Sequence, residues 1–127
     1  MSPTGSGATV STSVDTNASG GVLEFLNSTA AGQSMTMTTP TTVAGTYQVQ
    51  LRYKTNTSRG QCSVKIDGTQ VGGTLDEYAT TSAYTTATLG NAALTAGTHT
   101  IVMTVTGKNA ASSNFILTAD KFTFVGQ

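Results

Sequence analysis

The sequence has one cysteine, one histidine, two prolines and no tryptophan in 127 residues. The lone cysteine, Cys62, excludes an internal disulfide and a cysteine cage for zinc. A zinc site built on Cys62 and His99 needs carboxylates to complete it, and none is spaced for that. Charged residues are only 9% of the chain, six basic against six acidic, and the formal net charge is zero. Without a basic stripe, nucleic acid and anionic membrane surfaces are not expected partners. No apolar run approaches the roughly 20 residues a membrane-crossing helix needs. No secretory apolar region follows Met1. No segment carries a sustained apolar stripe of period 3.6, so no helix has a core face.

Thr, Ser, Gly, Ala and Asn fill the chain, arranged as short stretches of period two. The cleanest stretch is YQVQLRYK, residues 47–54. Tyr47, Val49, Leu51 and Tyr53 face one way there, and Gln48, Gln50, Arg52 and Lys54 the other. Cys62, Val64 and Ile66 alternate with Ser63 and Lys65, and Asp67-Gly68 follows as a hairpin turn signal. A weak strand covers residues 8–16, a stronger one 22–27, with Glu24 between apolar neighbours, and a further alternating stretch covers 32–39. Residues 73–86 have poor periodicity, and residues 87–89 and Leu94 are apolar punctuation after them. Residues 97–125 read as a last hairpin with a small polar tip over residues 107–114. Its returning arm changes phase, which a bulge close to Asp120 would reconcile. Short strands and Gly-rich turns imply an all-β chain, one antiparallel β-sandwich over residues 8–127. Residues 1–7, MSPTGSG, read as a linker. Tyr47, Val49, Leu51, Val64, Ile66, Ile101, Met103 and Phe122 are the expected core.

The candidate chemistry is sparse. His99 shares parity with Ile101 and Met103, which makes it a partly buried strand residue. Cys62 shares parity with Val64 and Ile66, the setting of an inert small hydrophobe. Six carboxylates are present, at Asp15, Glu24, Asp67, Asp76, Glu77 and Asp120. No pair is spaced to face across a cleft, as a glycosidase needs, so the chain is not expected to be an enzyme. Asp76 and Glu77 are adjacent and on a strand would point to opposite faces. Asp120 reads either as an edge residue accepting backbone hydrogen bonds or as a calcium ligand. Tyr78 and Tyr84 read either as lids on the core or as flat platforms under a sugar ring. Lys54, Arg59, Lys108, Asn109 and Asn114 are the loop residues able to bind sugar hydroxyls or carboxylates. Lys54, Arg59 and Lys108 either favour an acidic polymer or are merely solvated charges.

The runs ASGG, VLEFLNSTAAGQSMTM, AGTYQVQLRYKTNTSRGQCSVKIDGTQVG and AGTHTIVMTVTGKNAASSNFILTADKFTFV carry a resemblance. From residue 8 to residue 125 the chain resembles the galactose-binding-like jelly-roll modules of bacterial polysaccharide-degrading enzymes, relatives of carbohydrate-binding module families six and thirty-five. The resemblance implies a secreted, non-catalytic, monomeric module that holds a parent glycoside hydrolase or lyase near a polysaccharide. With the basic loops, acidic polymers such as xanthan or a pectic glycan fit best. The rival reading is a structural module packing on its parent enzyme or on a protein partner. The resemblance places Tyr84 and Asn114 at positions where the families bind sugar. It also implies a structural calcium held partly by an aspartate in the last strand, which Asp120 matches. The glutamates that complete that site are missing from residues 8–16. No other cofactor is required.

Overall fold

The computed structural model describes residues 3–127; Met1 and Ser2 of the expected linker lie outside the described residues. Among the described residues there are twelve strands: β1 (Thr4–Ser6), β2 (Val10–Val14), β3 (Val22–Leu26), β4 (Ser34–Thr38), β5 (Gly45–Thr55), β6 (Gln61–Ile66), β7 (Thr69–Gln70), β8 (Leu75–Asp76), β9 (Ala83–Leu94), β10 (Thr100–Gly107), β11 (Leu117–Ala119) and β12 (Lys121–Gly126). One short 3-10 turn, Ser19–Gly21, precedes β3. All named strand pairs are antiparallel. One layer runs β1-β4-β10-β6-β7, with β8 also against β6. The other is built from β2-β3-β11 and β9-β5-β12. The chain passes straight from β11 to β12, and this stitches the two halves of that layer together. The architecture is an antiparallel β-sandwich of the jelly-roll kind.

Period two explains the core. Val49, Leu51 and Tyr53 of β5 and Leu117 and Ala119 of β11 meet Cys62, Val64 and Ile66 of β6 and Ile101, Met103 and Val105 of β10. Full burial of each large side chain contributes about 1.5–3 kcal/mol. Tyr47 and Phe122 only border this cluster. The Tyr47 hydroxyl donates to the Val43 carbonyl at 2.6 Å, and its ring meets Phe124 edge-on. The turn at Asp67 and Gly68 has φ of 50° and 84°, the positive pair that joins two twisted strands tightly, so Lys65 pairs with Gln70.

Four sequence expectations change. Residues 97–125 are not a hairpin, because β10 pairs with β4 and β6 while β11 and β12 pair with β3 and β5. The connection between β10 and β11 crosses from one layer to the other. Alternation identifies a strand but not its partner. The phase change at Asp120 is not a bulge either. Asp120 is a bend where the chain leaves β3 as its neighbour and takes up β5, and its N–H donates to the Arg52 carbonyl at 2.8 Å. Residues 83–94 form a twelve-residue strand rather than punctuation, with a register shift opposite Val49 and Gln50. Finally, Thr4–Ser6, inside the expected linker, adds a strand beside β4.

Candidate functional site

Three connections meet at one end of the sandwich: residues 56–60, 77–82 and 108–116. Their backbones are tied together. Ser113 N–H donates to the Thr57 carbonyl at 3.0 Å, Gly60 N–H to Ile116 at 2.8 Å, and Glu77 N–H to Gly60 at 3.1 Å. The buried Ser112 hydroxyl donates to the Arg59 carbonyl at 2.6 Å. A Cβ at position 60 would lie 2.6 Å from the Phe115 carbonyl oxygen, so only glycine lets these loops approach this closely.

Under the loops lies a polar centre. Arg59 is 4% exposed, so it does not reach out to a ligand as the sequence reading expected. Its Nε donates to the Lys54 carbonyl at 2.9 Å, and its guanidinium carbon lies 5.3 Å from the centre of the Phe25 ring. Burial lowers its pKa, and the charge of Glu77 works against that. Glu77 is fully buried. Its Oε1 accepts from the Thr118 N–H at 2.7 Å and from the Thr118 hydroxyl at 2.8 Å, while Oε2 has no partner among the described residues. Removal from water pushes its pKa up to about 8. The sequence placed Asp76 and Glu77 on opposite faces without saying which of them faces inward. The signal for burial was its neighbour: of two adjacent acids on a strand, one faces inward.

Four expected site residues ring the same end, each half-buried: Tyr78, Lys108, Asn109 and Asn114. Lys108 Nζ donates to the Ser112 carbonyl at 2.9 Å and lies 5.8 Å from the Phe115 ring centre. It has no carboxylate partner among the described residues. Asn109 Nδ2 donates to Asp76 Oδ2 at 3.3 Å, and Gln61 donates to the same oxygen at 3.2 Å. Asp76 Oδ1 accepts from the Tyr78 N–H at 3.0 Å. The Asn114 side-chain oxygen Oδ1 accepts from Phe115 N–H at 2.9 Å, which leaves Nδ2 facing no acceptor among the described residues. The Tyr78 hydroxyl is likewise without a protein partner among the described residues. The set offers an aromatic ring, one unpaired cation and several amide groups.

Tyr84 and Lys54 belong elsewhere, on the outer face of the β5-β9 pair, where they stand opposite each other. The Tyr84 hydroxyl donates to Asp15 Oδ2 at 2.8 Å, and Lys54 Nζ is 2.8 Å from the same oxygen. The Arg52 guanidinium carbon sits 4.2 Å from the Tyr84 ring centre. The Lys54 hydrogen bond, the Asn17 N–H and the Tyr84 hydroxyl together hold the Asp15 carboxyl down at about 2. Desolvation, then the Asp15 carboxylate, push the Tyr84 hydroxyl up to about 12. His99 and Cys62 lie at opposite ends of the sandwich. Cys62 pairs with Val105 beside the loops. His99 binds Asp67 and the Thr95 carbonyl at the far end.

Residues 7–115 match the family model described as carbohydrate binding module (family 35). The chain belongs to carbohydrate-binding module family 35. This module is also similar to part of a xanthan lyase from Paenibacillus, at 33% identity and a TM-score of 0.89 over 94% of this chain. It spans only 12% of that lyase's length. A family 35 carbohydrate-binding module from an environmental isolate shares the fold at 21% identity, with a TM-score of 0.63, covering 100% of this chain and 94% of that one. The first family 36 module of a multidomain xylanase from the hindgut metagenome of Trinervitermes trinervoides shares it at 24% identity and a TM-score of 0.59, over 99% and 92% of the two chains. No curated protein matches the sequence.

The calcium implied for such a module at Asp120 lacks a ligand set here. Both carboxylate oxygens are already engaged, Oδ1 by the Ser19 N–H at 2.6 Å and Oδ2 by Arg52 Nη1 at 2.5 Å. The first long strand, β2, is VSTSV and offers no carboxylate. The other acid on the cleft beside Asp120 is Glu24, whose pKa burial raises. Among the described residues, no three or more His, Cys, Asp or Glu side chains converge. Calcium takes six to eight oxygens, and this site falls well short.

Proposed function

We propose that this module has no catalysis of its own and holds a larger, secreted polysaccharide-degrading enzyme on an acidic glycan, xanthan before others, through its loop end. The observation that carries the reading is the likeness, at 33% identity, to a segment of a xanthan lyase. The loop-end chemistry supports it. Tyr78 supplies a flat apolar ring for the C–H face of a sugar. Lys108 supplies an unpaired cation for a uronate or pyruvate carboxylate. Asn109 and Asn114 supply planar amides for hydroxyls. Asp76, in the same cluster, is held by three N–H donors, which softens its repulsion of an anionic chain.

Native gels cast with xanthan, a pectic glycan and a neutral glucan test this. Xanthan should retard the module most, and the effect should weaken as salt rises, because exposed charges are screened beyond about 10 Å at 0.1 M. Lys108→Ala and Tyr78→Ala should each weaken binding by roughly 1–3 kcal/mol with an unchanged melting temperature. Equal mobility of module and variants in every gel would remove the reading and leave a structural or protein-contact role.

A further inference from the structure

We infer that Arg52 supplies the cation that fastens the opening loop of this module, so that its fold does not depend on calcium. Arg52 Nη1 lies 2.5 Å from Asp120 Oδ2 and donates to the Asn17 carbonyl at 3.0 Å. One carboxylate and one backbone carbonyl, brought from the last strands and from the opening loop, are the kinds of oxygen a hard cation would gather. A guanidinium does the same work with fixed geometry and a permanent charge. Here it is held in place from below as well, because its guanidinium carbon sits over the Tyr84 ring, a cation–aromatic contact. Tyr84 in turn binds Asp15, and Asp15 binds Lys54 and the Asn17 N–H. The chain of contacts therefore fastens residues 15–19 onto β5 and β9 and onto the bend at Asp120. The Asp120 side chain is wholly buried. A divalent ion on it would face the guanidinium across a shared carboxylate, a like-charge clash.

The test is thermal unfolding of the intact chain in chelator and in millimolar calcium. The two melting curves should superimpose. A melting temperature that climbs with calcium concentration would overturn the inference, because a ligand bound only to the folded state must raise it. A second measurement stands on its own. Arg52→Gln and Asp120→Asn should each lower the melting temperature, and the double variant should lose no more than the worse single one, because both remove the same pair. Losses that simply add would mean that Arg52 and Asp120 act separately, and the inference would fail. Neither readout involves glycan binding, so its failure is distinct from a failure of the proposed function.

Discussion

At position 77 a carboxyl sits wholly inside the protein, with one oxygen satisfied by Thr118 and the other by nothing. Its pKa of about 8, against an ordinary 4.5, means that the folded chain keeps a proton the unfolded chain has released. Across that window folding takes up a proton, so stability falls as pH rises from about 4.5 towards 8 and then levels. His99 acts in the same direction over a higher window. The hydrogen bond to Asp67 raises its pKa above 6.5, and the stability it contributes is complete below 6.5 and lost as pH climbs through the raised value. Glu77→Gln separates the two, since the amide keeps the oxygen that accepts from Thr118 and cannot ionise. Melting temperatures of the parent should decline between about pH 5 and about pH 6.5, before His99 contributes, and the variant should decline less there, keeping only the smaller contribution of Glu24, whose pKa burial also raises. The same decline in both proteins would place the proton on another group. The pairing of Asp76 outside with Glu77 inside was half legible in the sequence. Adjacency in an extended segment demands one of each, but which one faces in depends on the register of β8, which ends at Asp76, against β6.

The strands with strict alternation, β5, β6 and β10, were fully legible, and so was the Asp67-Gly68 turn, because period and turn chemistry are local properties. Partner choice is not local. The long β10–β11 connection looks the same in sequence whether it closes a hairpin or crosses between layers, and β9 hides because its threonines and alanines give no hydrophobic contrast. The candidate site divided for the same reason. Tyr78, Lys108, Asn109 and Asn114 are loop residues and stayed at the loop end. Tyr84 and Lys54 are strand residues, and the register of β5 with β9 sets them across from each other under Asp15. At the level of these elements, Tyr84→Phe should lower the melting temperature, because it removes a hydrogen bond to a charged partner. Its retardation in a xanthan gel should match the parent. Loss of glycan binding at an unchanged melting temperature would return Tyr84 to the sugar site. Acid gives a second check on this cluster. Stability owed to Asp15 is present above its ordinary 3.8 and is lost as pH falls through about 2, so the parent should lose more stability in that range than Asp15→Asn, in which the lowered Asp67 carboxyl still titrates.

The molecule has two unlike ends. The loops of the candidate site close one of them, and the Asp67-Gly68 turn, His99 and residues 39–44 close the other. Strand direction decides where the chain leaves. In β1, Thr4 pairs with Thr36 and Ser6 with Ser34, so tracing backwards from Ser6 leads away from the loops. In β12, Gly126 pairs with Tyr47 near the start of β5, and Gln127 N–H donates to the Thr46 carbonyl at 2.9 Å. Both exits therefore lie towards the end opposite Lys108 and Tyr78. A neighbour attached at either exit would leave the loop end free to meet a polymer. Fusing a compact carrier protein to the first residue or to the last should leave retardation in a xanthan gel unchanged for each fusion. Inserting a short flexible segment between Ala110 and Ala111, at the exposed tip of the loop, should abolish retardation while the melting temperature stays near that of the parent, since surface loop tips tolerate insertion. If instead a terminal fusion blocks binding and the loop insertion does not, the polymer meets the opposite end, and the cleft lined by Glu24, Phe122 and Phe124 becomes the place to look.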